Sequence, residues 1–209
     1  MGTLRSDLSF LTLNVRGLND HHKRRKVFAW LETCKADFIF LQETFCTEKL
    51  MPYFNAGWKG DVAHSLTESS HSRGVCILFS QNLEYKILNV HRSVDGRRLL
   101  VNLEFGEQVL TLVNVYAPNE EKNRKDFFAR LTKWIREYTL NDENIIVTGD
   151  FNCCLRECDR NPVTHINDKS RKGLEDFLVK LKLHDTWSFF ALAFNIEYCI
   201  ENSFSSIFN

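Results

Sequence analysis

Short apolar runs alternate with polar turns along most of the chain, and the alternation repeats itself. Residues 8–13 (LSFLTL) form a β-prone run, and Asn14-Val15-Arg16-Gly17-Leu18-Asn19-Asp20 then supplies turn and cap residues. A helix is predicted next, with Asn19 or Asp20 as N-cap and Val27, Trp30, Leu31 and Cys34 at helical spacing on one face. Residues 37–42 (DFIFLQ) have the length and content of a buried strand, whose end delivers Glu43. The middle of the chain reads as four strands, residues 74–80, 83–90, 98–105 and 109–116. Gln81-Asn82, Asp95-Gly96 and Gly106-Glu107 punctuate them as in an antiparallel meander. Then the first pattern returns. VLTLVNVY is followed by Ala117-Pro118-Asn119 and by a helix in which Phe127, Phe128, Leu131, Trp134, Ile135 and Tyr138 keep a 3.6-residue period. The strand at residues 144–149 (NIIVTG) delivers Asp150, and a last helix over residues 168–183 carries Leu174, Phe177, Leu178 and Leu181.

Strand, helix, strand and acid thus occur twice, with meander strands between. Two sheets packed face to face, with helices on their outer sides, would bury all of these runs, so the predicted fold is a two-sheet α/β sandwich. No linker composition and no tandem repeat marks a boundary, and a single domain over residues 1–209 is expected.

Charge narrows the reading further. With 27 basic and 27 acidic residues and 44% hydrophobic positions, the chain is too apolar to be disordered. It is also too neutral to coat nucleic acid, so any contact with DNA must be local. No apolar run reaches the roughly 18 residues of a membrane span, and Met1-Gly2-Thr3-Leu4-Arg5-Ser6 lacks the apolar core of a secretion signal. Gly2 with Ser6 fits only the permissive myristoylation pattern. An intracellular location, nucleus or cytoplasm, is expected, neither secreted nor membrane-spanning. The seven Cys are an odd number and sit mostly in apolar segments, as expected of reduced thiols. Cys153, Cys154 and Cys158 with His165 lack the paired spacing of a zinc site and read as loop thiols. The run His21-His22-Lys23-Arg24-Arg25-Lys26 is read as the solvated face of a helix rather than a DNA patch.

The candidate chemistry lies at strand ends. Asn14, Glu43, Tyr116, and Asp150 with Asn152 each follow or close an apolar strand, where a rigid scaffold meets polar loops. One acid at a strand end is ordinarily just the first solvated residue. Acids and amides converging from four ends would form an oxygen-rich site suited to a hard cation such as Mg2+. Such a site activates water and stabilises charge on a phosphate.

The segments LTLNVRGLN, FIFLQET, LVNVYAPN and IIVTGDFN, in this order, resemble the endonuclease/exonuclease/phosphatase (DNase-I-like) superfamily. They are most similar to the apurinic-type endonuclease domain of non-LTR, LINE-type retrotransposons, and SRGVCILFS and DGRRLLVNLEF fit the same group. The resemblance covers roughly residues 8–187. It implies a four-layer sandwich and a DNA-nicking activity dependent on Mg2+, with Mn2+ as a substitute. Glu43 would be the principal metal ligand with Asn14 beside it. Asp150 would orient or deprotonate the attacking water, Asn152 would donate to the phosphate, and Tyr116 would contact the scissile phosphate. Arg160 would be a DNA contact. A monomer is expected, originally part of a longer polyprotein with a reverse transcriptase.

One departure stands out. The family continues with a Ser-Arg-x-Asp strand and a Ser-Asp-His triplet that completes the site, and neither occurs in this sequence. Residues 188–209 read instead as an unrelated tail, so the sandwich is expected to be incomplete at its C-terminal end and the activity impaired. Two other functions stay open: a phosphoesterase acting on a lipid or nucleotide, and a catalytically dead remnant.

Overall fold

The computed structural model describes residues 8–68, 71–156 and 168–186. They form two compact units. One comprises the residues up to Ala117 together with Tyr138–Asp150, and the other Pro118–Glu137 and the described residues from Phe151 onward.

The first unit holds every strand among the described residues. In chain order it contains β1 (Phe10–Asn14), α1 (His21–Cys34), β2 (Phe38–Gln42), α2 (Met51–Gly57), β3 (Val62–Ser65), β4 (Val75–Phe79), β5 (Lys86–Arg92), β6 (Arg98–Phe105), β7 (Gln108–Tyr116) and β8 (Ile145–Asp150). These make two four-stranded sheets, ordered β1-β2-β4-β3 and β5-β6-β7-β8. Each is mixed: β1 runs parallel to β2 and β7 parallel to β8, while the other pairs are antiparallel. The sheets share one apolar core, because a period of two sends alternate residues of each strand to the same side. Phe38 and Phe40 of β2 and Val75, Ile77 and Phe79 of β4 meet Leu99, Val101 and Leu103 of β6 and Leu110 and Leu112 of β7 there. The intervening Ile39, Leu41, Cys76, Leu78, Leu100 and Val113 are buried as well, so these central strands are covered on both faces. That double burial is why their sequences are nearly continuous apolar runs. The two-sheet α/β sandwich expected from the sequence is the architecture found.

Helix α1 starts where its cap residue dictates: the Asp20 carboxylate accepts a hydrogen bond from the Lys23 backbone N–H at 2.7 Å. Two members of the basic run that follows are not solvated decoration. The Lys23 ammonium donates to the carbonyls of Val15 and Arg16, at 2.8 and 3.0 Å. The buried Arg24 guanidinium donates to the Leu18 carbonyl at 2.7 Å. Phe28 of α1 meets Phe54 of α2 and Trp58 edge-on, and the Trp58 indole N–H reaches the Phe79 carbonyl at 2.8 Å, tying this layer to β4.

Two details depart from the pattern-based expectation. The four middle strands are not one meander, since β4 pairs with β2 and β3 and only β5, β6 and β7 form a continuous antiparallel run. Gln81-Asn82 marks a strand end, which turn residues encode, whereas the next partner is set by long-range packing. Helix α2 and strand β3 went unpredicted because seven and four residues are too short to establish a period.

The second unit contains α3 (Glu121–Tyr138, whose last residue belongs to the first unit) and α4 (Arg171–Leu181). The rings of Phe128, Phe151 and Phe177 cluster at centroid separations of 6.3–6.5 Å. Gly173 allows α4 to approach, since a Cβ there would lie 3.2 Å from the Lys125 Cα. A buried ion pair joins Arg124 of α3 to Asp168 at 2.7 Å, both side chains only 7% exposed. Among the described residues no helix is long and apolar enough to cross a membrane. The described cysteines, Cys34, Cys46, Cys76, Cys153 and Cys154, are free thiols. Burial pushes Cys46 up to about 12 and raises Cys76 well above the ordinary thiol value, so these two behave as small hydrophobes. Cys158, His165, Arg160 and the tail 188–209 lie outside the described residues.

Candidate active site

Each parallel pair ends in register. Asn14 at the end of β1 lies opposite Gln42 at the end of β2, one residue before Glu43, and Tyr116 at the end of β7 lies opposite Asp150 at the end of β8. Polar groups from both sheets therefore emerge at the C-terminal ends of parallel strands, where α/β scaffolds place ligands. One side chain joins them. The Asn14 amide nitrogen donates to Glu43 Oε1 at 2.9 Å and to Asp150 Oδ2 at 2.9 Å, although Asp150 is 136 residues away in sequence. The orientation of that amide is fixed from behind, because Asn14 Oδ1 accepts the Arg16 backbone N–H at 3.1 Å.

Glu43 occupies a left-handed backbone conformation, φ 52°. For a residue with a Cβ this costs about 1–2 kcal/mol, and such strain persists only where the surroundings over-determine it. The surroundings here are main-chain hydrogen bonds. Gly17 N–H donates to the Glu43 carbonyl at 2.7 Å, Leu18 N–H to that of Thr44 at 3.0 Å, and Thr44 and Phe45 N–H to those of Gly74 and Arg73, both at 2.9 Å. The ladder continues onto the other sheet: Gly74 N–H to the Gly96 carbonyl at 3.1 Å, Tyr116 N–H to Arg97 at 2.9 Å, and Ala117 N–H to Asp150 at 2.8 Å. A belt of backbone bonds thus runs round the strand ends from Glu43 to Asp150.

Tyr116 is buried, 6% exposed, and the Arg97 guanidinium lies over its ring at 4.9 Å from the centroid. Arg97 also donates to the Tyr116 and Ala117 carbonyls, both at 3.2 Å. Burial, and then the neighbouring Arg73, pull the Arg97 guanidinium below its ordinary value, opposed by Tyr116, Asp95 and Glu43. Burial and Arg16 likewise depress the Lys23 ammonium, opposed by Asp20 and Glu43. Two cations, each fixed on main-chain carbonyls, therefore share the field of Glu43.

The donor set fits a hard divalent cation: two carboxylates brought together on one amide, with oxygen as the ligand atom. Among the described residues no three His, Cys, Asp or Glu side chains cluster as a closed metal cage. An open two-carboxylate site suits a partly hydrated ion such as Mg2+ rather than a structural zinc.

Of the expected site residues, the structure brings Asn14, Glu43 and Asp150 into one hydrogen-bonded cluster, and Tyr116 stands in register with Asp150. Asn152 belongs to the second unit, where its amide donates to Asn119 Oδ1 at 3.1 Å. Sequence reasoning missed two supporting groups beneath the site and one buried cation within the second unit. Gln42 and Asn114 are buried polar side chains inside apolar runs, and Arg124 shares a helical face with Phe127, Phe128 and Leu131. A polar residue keeping apolar periodicity was the available signal in each case.

A sequence model of the endonuclease/exonuclease/phosphatase family matches residues 11–171, and the chain belongs to that family. It is 34% identical over 181 residues to the transposon TX1 uncharacterized 149 kDa protein of Xenopus laevis. That match covers 86% of the chain but 14% of the relative, so the chain spans about one seventh of that protein's length. Among solved structures, the fold is similar to an AP endonuclease from Archaeoglobus fulgidus (TM-score 0.63, 19% identity, 83% of this chain and 70% of that one). It is also similar to the endonuclease domain of TRAS1, a telomere-specific non-LTR retrotransposon (TM-score 0.61, 16% identity, 85% and 73%). Family membership and sequence similarity to a transposon protein are thereby established, with the fold shared by these two endonucleases.

Proposed function

We propose that the chain is a divalent-metal-dependent endonuclease domain of retrotransposon origin that nicks DNA. The observation that carries this reading is the Asn14 amide holding Glu43 and Asp150, one from each sheet, within hydrogen-bond reach of a single nitrogen. Glu43, its carboxylate oriented by the Asn14 amide, would hold Mg2+ or Mn2+, which when bound would supply Lewis-acid stabilisation of phosphate charge and an acidified water. Asp150 orients the attacking water and accepts its proton as the nucleophile forms. The Tyr116 hydroxyl donates to a phosphate oxygen as charge builds there. Asn152 and Arg160 are assigned to phosphate and DNA contact on the family resemblance alone. DNA is the proposed partner, with a monomeric domain beside a reverse transcriptase in a longer polyprotein as the context.

The Ser-Asp-His triplet of the family resemblance is not in this sequence. Loss of one preorganised donor to a developing charge commonly costs about 100- to 1,000-fold in rate. The test is plasmid nicking with Mg2+ by three polypeptides: these 209 residues, their Glu43→Ala variant, and a chimera in which a family C-terminal segment follows Trp187. The chimera should nick at least about 100-fold faster than the parent, and Glu43→Ala should abolish what activity the parent has. Equal rates for parent and chimera would show that another group does the work of the imidazole. No nicking by any of the three would remove DNA as the substrate.

A further inference from the structure

The second polar link between the sheets lies one layer beneath the site. Gln42 continues the inward-facing series Phe38, Phe40 of β2, and Asn114 continues Leu110, Leu112 of β7; they are 1% and 0% exposed. Gln42 Nε2 donates to Asn114 Oδ1 at 2.8 Å and lies 3.1 Å from both Thr12 Oγ1 and the Phe40 carbonyl. Asn114 Nδ2 donates to the carbonyls of Leu41 and Cys76, at 3.0 and 2.8 Å. Leu41 and Cys76 face each other across β2 and β4. A side chain of one sheet thus plugs into the main chain of two strands of the other. Only one orientation works: turning the Asn114 amide over would set its oxygen against two carbonyls and its NH2 against the NH2 of Gln42.

Stability alone does not call for this arrangement. Replacing both members of a buried hydrogen-bonded pair by apolar groups of similar shape is often close to neutral. An apolar pair, however, has no preferred lateral position, because dispersion contacts between two side-chain layers are non-directional, whereas a hydrogen bond weakens steeply once distance and angle drift. The position that matters is adjacent. Gln42 precedes Glu43 and lies opposite Asn14, and Asn114 stands two residues before Tyr116, which lies opposite Asp150.

We propose that Gln42 and Asn114 are positioning residues that fix the lateral alignment of the two sheets, and so the spacing of Glu43 and Asn14 from Asp150 and Tyr116. This deepens the endonuclease reading and rests on it for its effect on rate. Its structural content is independent of that reading, since the alignment can be followed in the metal-free protein through the side-chain amide of Asn14.

The experiment compares the parent with Gln42→Met, Asn114→Leu and the double variant. The 1H–15N resonances of the Asn14 NH2 group are recorded without metal, and kcat and KM for plasmid nicking are measured with Mg2+. The double variant should melt cooperatively near the parent temperature while its Asn14 resonances move toward those of a free amide. kcat should fall about 10- to 100-fold, the loss typical of an ångström-scale misplacement, with KM changed less than about threefold. Unmoved Asn14 resonances in the folded double variant, with kcat intact, overturn the proposal. If the parent does not nick, the endonuclease reading fails while the Asn14 resonances still decide the alignment. If the variants fail to fold, hydrogen exchange of the parent decides: Gln42 and Asn114 side-chain amides as protected as the β2 and β7 backbone support the pin, and exchange at free-amide rates removes it.

Discussion

The chain leaves β2 and β8 in two different ways. After β2 the path through Glu43, Thr44 and Phe45 is gripped by main-chain hydrogen bonds from the Gly17-Leu18 and Arg73-Gly74 loops. After β8 the chain enters the second unit, where the described bonds on it come from side chains. Ser170 Oγ, whose proton goes to Asp168, lies 3.5 Å from Cys153 Sγ, and the Asn152 amide reaches Asn119, whose carbonyl accepts from Arg124 at 2.7 Å. Arg124 is in turn held by Asp168 and by Ser170 Oγ. β2 is an interior strand buried at every position, whereas β8, the last strand of its sheet among the described residues, is half-buried throughout. A segment latched by backbone depends little on which side chains it carries. A segment latched by side chains depends on a few of them.

The largest effect should come from the chemistry at the less protected end. Asp150→Asn keeps the shape and removes the proposed base, so nicking should fall about 100- to 10,000-fold while the melting temperature stays near the parent value. An equal loss of activity and stability would mean that Asp150 is held in place for packing rather than chemistry.

Next in size is the side-chain latch. Arg124→Met leaves the buried Asp168 carboxylate without its ion pair, a change expected to cost about 3–5 kcal/mol, measurable by urea unfolding. The pH dependence carries a sign. Burial by itself raises the Asp168 carboxyl, but hydrogen bonds from Ser170 and the Arg124 guanidinium outweigh it and hold the group below its ordinary value. A carboxyl depressed on folding contributes stability that is fully present above its unfolded pKa, near 3.9, and lost as pH falls through the folded value. Parent stability should therefore drop on acidification below about pH 4, and the Arg124→Met curve should be flatter there. Parallel acid limbs would show that the pair is not what acid breaks.

The main-chain latch should respond only where a side chain physically blocks it. Gly96 has φ +67°, and a Cβ there would lie 2.6 Å from the Leu66 carbonyl oxygen, so Gly96→Ala should destabilise by about 1–3 kcal/mol. Smallest of all, Arg73→Ser keeps the backbone carbonyl that Phe45 uses and changes an exposed side chain. Its effect on unfolding should stay within about 0.5 kcal/mol; a larger change would mean that the Arg73 side chain, not the main chain, secures this loop.

Much of the scaffold was legible because burial leaves a period. The central strands and the faces of α1, α3 and α4 follow from their apolar spacing, and Asp20 marks the start of α1 in the residue type a cap requires. The convergence of Asn14, Glu43 and Asp150 could be inferred only by assuming that repeated strand-helix-strand units align, since nothing local in NVRG, QET or GDFN states which ends meet. The partner of β4 was illegible for the same reason. Gln42 and Asn114 went unread because an amide in an apolar run has no visible partner until both sheets are placed. Lys23 and Arg24 misled in the opposite direction: a run of cations looks solvated, yet two of them close the turn that carries Asn14.

The belt of main-chain bonds around the strand ends bears on how such a domain can diversify. Its rungs use N–H and carbonyl groups that every residue but proline provides, so beyond the positive-φ glycines it places few demands on the loop sequence. Arg16 and Arg73 are exposed and lie along this frame without supplying its rungs through their side chains, whereas the Asp95 carboxylate accepts the Arg97 backbone N–H at 3.3 Å. Such exposed positions can therefore change without moving the main chain that holds Glu43 and Asp150 against Asn14.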